Sequence, residues 1–307
     1  MRTFSGKPQD INEGGILNSV QAGKNKIVDD FLHYVSNTLR STDYTLNSAN
    51  GEQSIDLVCD RPVIFANRVD LPVRVRTCDE LTILDCKMKT FILPNQAHVL
   101  TIEKCSNLEA LAAIGDIEID ELIITGCDKL KDISCLENAT INRIKLVDCA
   151  ITTLKPLKCA ATSITLKKCK DVKAYDLETK DTPNIKIENC KINKFVTPIR
   201  ANRVTLDSIT RSSAIDIEIA QAVDVVITDF VKPTKLNISG KQVDTLVIRN
   251  CEALKELSLN IDCKTSLTLA ELPEVEAMEI MPIKGYCIVE HTNVMPKCEC
   301  KKIIVRK

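Results

Sequence analysis

From Leu81 to Leu272 the chain repeats one phrase at a spacing so even that few folds remain open to it. The phrase is Leu-x-Leu-x-x-Cys, with Ile or Val also taking the Leu places. It occurs at Leu81–Cys86, Leu100–Cys105, Leu122–Cys127, Ile144–Cys149, Ile164–Cys169, Ile185–Cys190 and Leu246–Cys251. Val204–Ile209, Val225–Phe230 and Leu267–Leu272 keep the frame with another apolar residue in the Cys place. Successive starts lie 19, 22, 22, 20, 21, 19, 21, 21 and 21 residues apart. A fixed period of this length is the mark of stacked structural repeats.

In an extended Leu-x-Leu the two Leu side chains share one face and the residue between them takes the other. One turn of about 21 residues cannot bury its apolar face alone, whereas stacked turns bury it against their neighbours. Cys suits the last place because it is small, prefers burial, and carries a thiol that bonds weakly to a turning backbone. A second apolar phrase follows half a period later, as in Leu108-x-x-Leu111, Leu130-x-x-Ile133, Phe91-Ile92-Leu93 and Ile215-x-Ile217-x-Ile219. Each turn is therefore expected to hold one well-defined strand and one shorter extended segment.

The phrase Leu-x-x-Leu-x-Leu-x-x-Cys resembles the leucine-rich repeat, with Cys where many families use Asn. The continuation Cys-x-x-Leu-x-x-Leu-x-Leu and the run Phe91-Ile92-Leu93-Pro94 are similar to the BspA-like branch. Ile151-Thr152-Thr153-Leu154-Lys155-Pro156-Leu157 is similar to the internalin branch, and the branch stays open. The likeness covers residues 60–295. It implies a right-handed parallel β-solenoid of about ten or eleven turns, mainly β, whose outward strand residues line a concave surface. A true parallel β-helix with two or three comparable sheets is the alternative. In that family the concave surface is where partners bind. Carried onto this chain, it makes Lys145, Lys167, Lys186, Glu188, Asp207 and Arg249 the candidate partner-binding residues.

Composition narrows the partner. The chain has 307 residues, with 41 basic against 42 acidic. That balance argues against charge-driven binding of nucleic acid or acidic membranes. Aromatic residues make up 3% and there is no Trp, so stacking platforms for bases or sugars are not expected. The 15 Cys are an odd count, seven of them in one packing place, which points to reduced thiols rather than a disulfide framework. Met1–Pro8 has no apolar signal region, and no apolar run is long enough to span a bilayer. A soluble, cytoplasmic protein is expected, with secretion by an unconventional route as the alternative.

The ends differ from the middle. Residues 1–24 are expected to be a flexible arm. Residues 25–51 are expected to hold a capping helix over Asn25–Ser41, with Val28, Phe31, Leu32, Val35 and Leu39 on one face, and then a polar linker. That helix would cover the apolar end of the stack or dock into a partner groove. Residues 52–307 form the repeat region, with a C-terminal cap from about Cys287. The cap contains a metal-like set, Cys287, His291, Cys298 and Cys300, with four ligands that suit tetrahedral zinc. A disulfide-linked cap and a plain structural cap are its alternatives. Ile303-Ile304-Val305 reads as a final strand with a basic tip around Lys301, Lys302 and Arg306.

No catalytic signature emerges. His33, His98 and His291 lack a local nucleophile pattern, Gly126 stands alone in a turn, and no phosphate loop is present. The expectation is a non-catalytic adaptor or regulatory scaffold that binds a protein partner and needs no cofactor. The alternatives are a permanent structural subunit of a large assembly and a β-helix enzyme acting on polysaccharide, which would want clustered carboxylates on one face.

Overall fold

The structure, a computed structural model, describes residues 2–6, 43–49, 52–58, 62–67, 74–151, 153–154, 161–169, 174–175, 183–192, 195, 198–210, 213–296 and 299–306. The chain divides into two compact units, Met1–Ile141 and Asn142–Lys307. Each contains a parallel β-solenoid with turns of about 21 residues. Among the described residues the single helical element is a 3-10 turn at Ser134–Asn138, and no helix is long and apolar enough to cross a membrane.

The first unit begins with β1 (Arg2–Gly6) and β2 (Asp43–Ala49), which pair antiparallel, and β2 pairs antiparallel with β3 (Glu52–Val58). The described part of the expected arm and linker is therefore strand. The alternation of Tyr44 and Leu46 with polar residues carries the strand period that the linker reading passed over. The expected helix over 25–41 lies outside the described residues. β5 (Arg74–Leu84) pairs in parallel with β3, with β4 (Val63–Ala66) and with β7 (Gln96–Glu103). β7 pairs in parallel with β9 (Glu118–Thr125), with Leu100 opposite Leu122 and Ile102 opposite Ile124. Two short strands, β6 (Thr90–Ile92) and β8 (Ala110–Ala112), form a small second sheet.

The second unit stacks the main strands of β10 (Thr140–Val147), β12 (Ser163–Lys167), β14 (Asn184–Glu188) and β16 (Arg203–Asp207), in parallel and without a register shift. Among the described residues its second sheet is slight at first, with β11 (Thr153–Leu154) against β13 (Ala174–Tyr175) and then β15 (Ile199–Arg200). It becomes substantial in the next turns. β17 (Ala214–Thr228), β18 (Lys235–Arg249) and β19 (Glu256–Leu272) each run through both sheets of a turn. β20 (Ala277–Ile280), β21 (Tyr286–Thr292) and β22 (Lys302–Arg306) complete the stack. The sequence explains the change. Ile215-x-Ile217-x-Ile219 alternates over a full strand, whereas Leu108-x-x-Leu111 has a turn's spacing. The described turns of this unit thus range from one dominant sheet to two.

The core is the inward set of main-strand residues. Leu100, Ile102, Leu122 and Ile124 in the first unit, and Leu246 and Ile248 in the second, have no exposed surface. Burial of each such side chain stabilises the fold by about 1.5–3 kcal/mol.

The strand ends at a corner that the sequence pattern hid. The residue just before the Cys place adopts a left-handed backbone in turn after turn. These residues are Asn67, Asp85 and Lys104 in the first unit, with φ of 56°, 47° and 55°, and Asp148, Lys168, Asn189, Ser208, Asp229, Asn250, Glu271 and His291 in the second, with φ between 46° and 59°. In the turn where Gly is used, Gly126 takes the same place at φ 66°. Left-handed backbone is costly for a residue with a Cβ, and Asn and Asp tolerate it best. The corner N–H is used: Lys104 donates to the Thr125 carbonyl at 2.9 Å, and Asn189 to that of Asp207 at 2.9 Å.

The Cys place follows the corner. Cys86, Cys105, Cys127, Cys149, Cys169, Cys190 and Cys251 are buried, and each thiol donates to the carbonyl two residues earlier at 3.4–3.7 Å. The expected bond between a small thiol and a turning backbone is present in every one of these turns. Ile209, Phe230 and Leu272 fill the place by bulk.

Candidate functional site

The six residues expected to meet a partner all lie in the second unit, on the outward side of the main strands. Two columns hold them. Lys145 on β10 and Lys186 on β14 belong to the middle column, in register with Thr165 and Thr205. Lys167, Glu188, Asp207 and Arg249 belong to the next, in register with Val147 and Thr228. Strand alternation places them: Lys145 and Lys186 each lie between two core residues, and each of the other four follows one and precedes the corner.

They are not equivalent. Glu188 is the centre of an ion cluster, with Lys167 Nζ 2.6 Å from Oε1 and Lys186 Nζ 3.1 Å from Oε2. The two ammonium groups, Lys167 first, hold the Glu188 carboxyl below the usual carboxylate range. Asp207 accepts the Ser208 hydroxyl at 2.7 Å. Lys145 and Arg249 are exposed, and neither forms an ion pair among the described residues. Four of the six are thus engaged with their own neighbours and two are not.

Sequence reading missed a second charged group on this face. Asp224 lies 2.8 Å from the Arg203 guanidinium and accepts the Thr245 hydroxyl at 2.6 Å. The Thr245 hydrogen bond, followed by Arg203, keeps its carboxyl below the ordinary range. These residues stand directly before the repeat phrase, outside the columns defined by Leu-x-Leu-x-x-Cys. The signal that finds them is the 21-residue step from Arg203 to Asp224 and again to Thr245.

The C-terminal metal-like set falls on the solenoid itself. Cys287 pairs in register with Leu267 and Ile303 and is fully buried in the first core place of its turn. His291 sits on the left-handed corner and is exposed. Cys300 is half-buried, and Cys298 lies outside the described residues. Among the described residues no three His, Cys, Asp or Glu come together as a metal set. The described members of the set thus occupy a buried strand position, a corner and a place just ahead of the last strand.

Three of the buried thiols, Cys78, Cys105 and Cys251, are held protonated. Burial pushes Cys78 and Cys251 up to about 12, and Cys105 rises to about 11, chiefly through its hydrogen bond with Cys127. A thiol shifted in that direction is a poor nucleophile. On the second sheet of this unit a shallow trough is lined by Phe195, Asp216, Glu218, Asn237, Ser239 and Asn260. Within it the Asn237 amide donates to Asp216 at 2.6 Å. His98, in the first unit, is exposed and hydrogen-bonded to Asp120 at 2.7 Å, which raises its pKa.

No protein family, curated protein or solved structure matches this chain.

Proposed function

We propose that the chain is a non-catalytic interaction platform, a right-handed solenoid of leucine-rich-repeat type that binds a protein partner through the outward face of the main strands in its second unit. One observation carries this reading. Lys145 and Arg249 stand exposed on that face without a carboxylate partner among the described residues, while Lys167 and Lys186 between them share Glu188, which offsets one of their two charges. The backbone beneath is bonded from turn to turn, so the cations are held on an ordered surface. The planar Arg fork suits a carboxylate geometrically and loses less freedom per hydrogen bond than a flexible ammonium. Ionised contacts on an exposed face steer and select partners more than they add affinity. The buried, unbridged thiols fit a reducing compartment, which makes the cytoplasm the proposed location.

Purification of the tagged chain from its own cells tests the reading. At low salt several substoichiometric proteins are expected to co-elute, and at high salt they are expected to fall away. A single dominant assembly that survives high salt identifies a built-in structural subunit instead.

A further inference from the structure

The outward face of the second unit changes character at β17. The middle column runs through Lys145, Thr165, Lys186 and Thr205, and then becomes Val226, Val247, Thr268, Ile288 and Ile304. These five are half-buried and β-branched, and they form one stripe that is apolar but for the Thr268 hydroxyl. Five strands at about 4.8 Å spacing make the stripe about 19 Å long.

The charges beside the stripe do not cancel. Two carboxylates stand in the columns that flank it, and both are neutralised: Asp224 by Arg203 at 2.8 Å and Glu290 by Arg306 at 2.8 Å. Arg249 on one side and Lys302 on the other are exposed and hold no ion pair among the described residues. Thr228 and Ala270, in register on either side of Arg249, are small and buried, so the guanidinium rises from a low floor. In the corner column beyond, Asp229 accepts hydrogen bonds from Thr228 and Asn250, and Glu271 is exposed.

We infer that this half of the face seats an amphipathic helix with its apolar row along the Val226–Ile304 stripe and acidic residues turned toward Arg249 and Lys302. The inference rests on the platform reading and adds the partner's chemistry. Along β17, β18, β19 and β21 a visiting strand finds no edge, because their backbone groups bond from turn to turn and β21 is covered by β22. Contact must come through side chains. The side-chain rows of a helix recur every 5–6 Å, close to the step between turns. About thirteen helical residues span the stripe.

The test uses the full chain and a labelled helical peptide of about 16 residues with leucines at i, i+4, i+7 and i+11 and glutamates at the flanking positions. Its twin replaces the glutamates with lysines, and an isomer rearranges the same residues into strand alternation. Fluorescence anisotropy is expected to show the acidic helical peptide binding about tenfold more tightly than either control. Val247→Glu is expected to abolish that binding. Arg249→Glu, on an exposed side chain whose loss leaves the fold intact, is expected to weaken it about tenfold and to favour the lysine twin. No binding, equal binding of the three peptides, or indifference to both substitutions overturns the inference, as does a concentration-dependent dimer seated on the stripe. Co-purification separates this failure from failure of the platform. If Val247→Glu/Arg249→Glu keeps its native partners while Lys145→Glu/Lys167→Glu/Lys186→Glu loses them, only the helix inference falls. If both variants keep them, the platform falls too.

Discussion

The Cys190 thiol donates to the Glu188 carbonyl at 3.4 Å, and the same carbonyl receives the Lys168 N–H at 2.9 Å. One peptide oxygen therefore ends its own strand, anchors the corner of the preceding turn and satisfies the buried thiol. The side chain of the same residue gathers Lys167 and Lys186 on the outward face. Core and surface meet at one residue.

Replacement of Cys190 by Ala is expected to cost about 1–2 kcal/mol, mostly from the small cavity, because a thiol is a weak donor. Urea unfolding followed by circular dichroism measures it. An unchanged midpoint would mean that the Cys place contributes nothing to the stack.

The corner makes an opposite prediction. Lys168 has φ 55° and an exposed side chain. Lys168→Gly is expected to stabilise by about 0.5–1 kcal/mol by relieving left-handed strain, despite the added freedom of the unfolded chain. Lys168→Val is expected to destabilise by about 1 kcal/mol, because a β-branched residue suits that backbone worst. Thermal melts of the pair relative to wild type check the signs.

Leu122 and Ile124 have no exposed surface. An Asp at either place buries an unpaired charge, a loss of more than about 4 kcal/mol that is expected to unfold the neighbouring turns. Cooperative melting unchanged from wild type contradicts the register.

Glu188 predicts a pH dependence. Its folded pKa is lowered by Lys167 and Lys186, so its contribution is complete above the ordinary carboxylate value of about 4.3 and is lost as pH falls through the lowered folded value. Wild type and Glu188→Gln are expected to differ by about 0.5–1 kcal/mol near neutral pH and to converge in acid, with the gap shrinking at high salt. His98 runs the other way. Its raised pKa gives a contribution present below the ordinary histidine range and lost as pH rises through the folded value, and His98→Gln removes it.

The core was legible in the sequence because its chemistry is repetitive. Leu122, Ile124 and Cys127 recur as a pattern, and strand alternation turns that pattern into a face. The corner was not, because Lys104, Ser208, Glu271 and His291 share a backbone angle and no side-chain chemistry. Cys287 misled for the opposite reason: its residue type suggests a ligand while its register makes it core. The Glu188 cluster was half legible, since the columns placed its members together but could not say that both lysines pair with the one carboxylate. The second sheet from Ala214 was written in Ile215-x-Ile217-x-Ile219 and its successors, with a length that only the stacked turns reveal.

The central claim is that the outward face of the second unit binds a protein partner. The most direct measurement compares native co-purification of wild type with a variant in which Lys145, Lys167, Lys186 and Arg249 are all replaced by Glu, with thermal melts run beside it. The account predicts a melt that stays cooperative but is lowered by loss of the Lys167 and Lys186 pairs with Glu188, together with loss of the salt-sensitive partners. A folded variant that retains the same partners in the same amounts contradicts it.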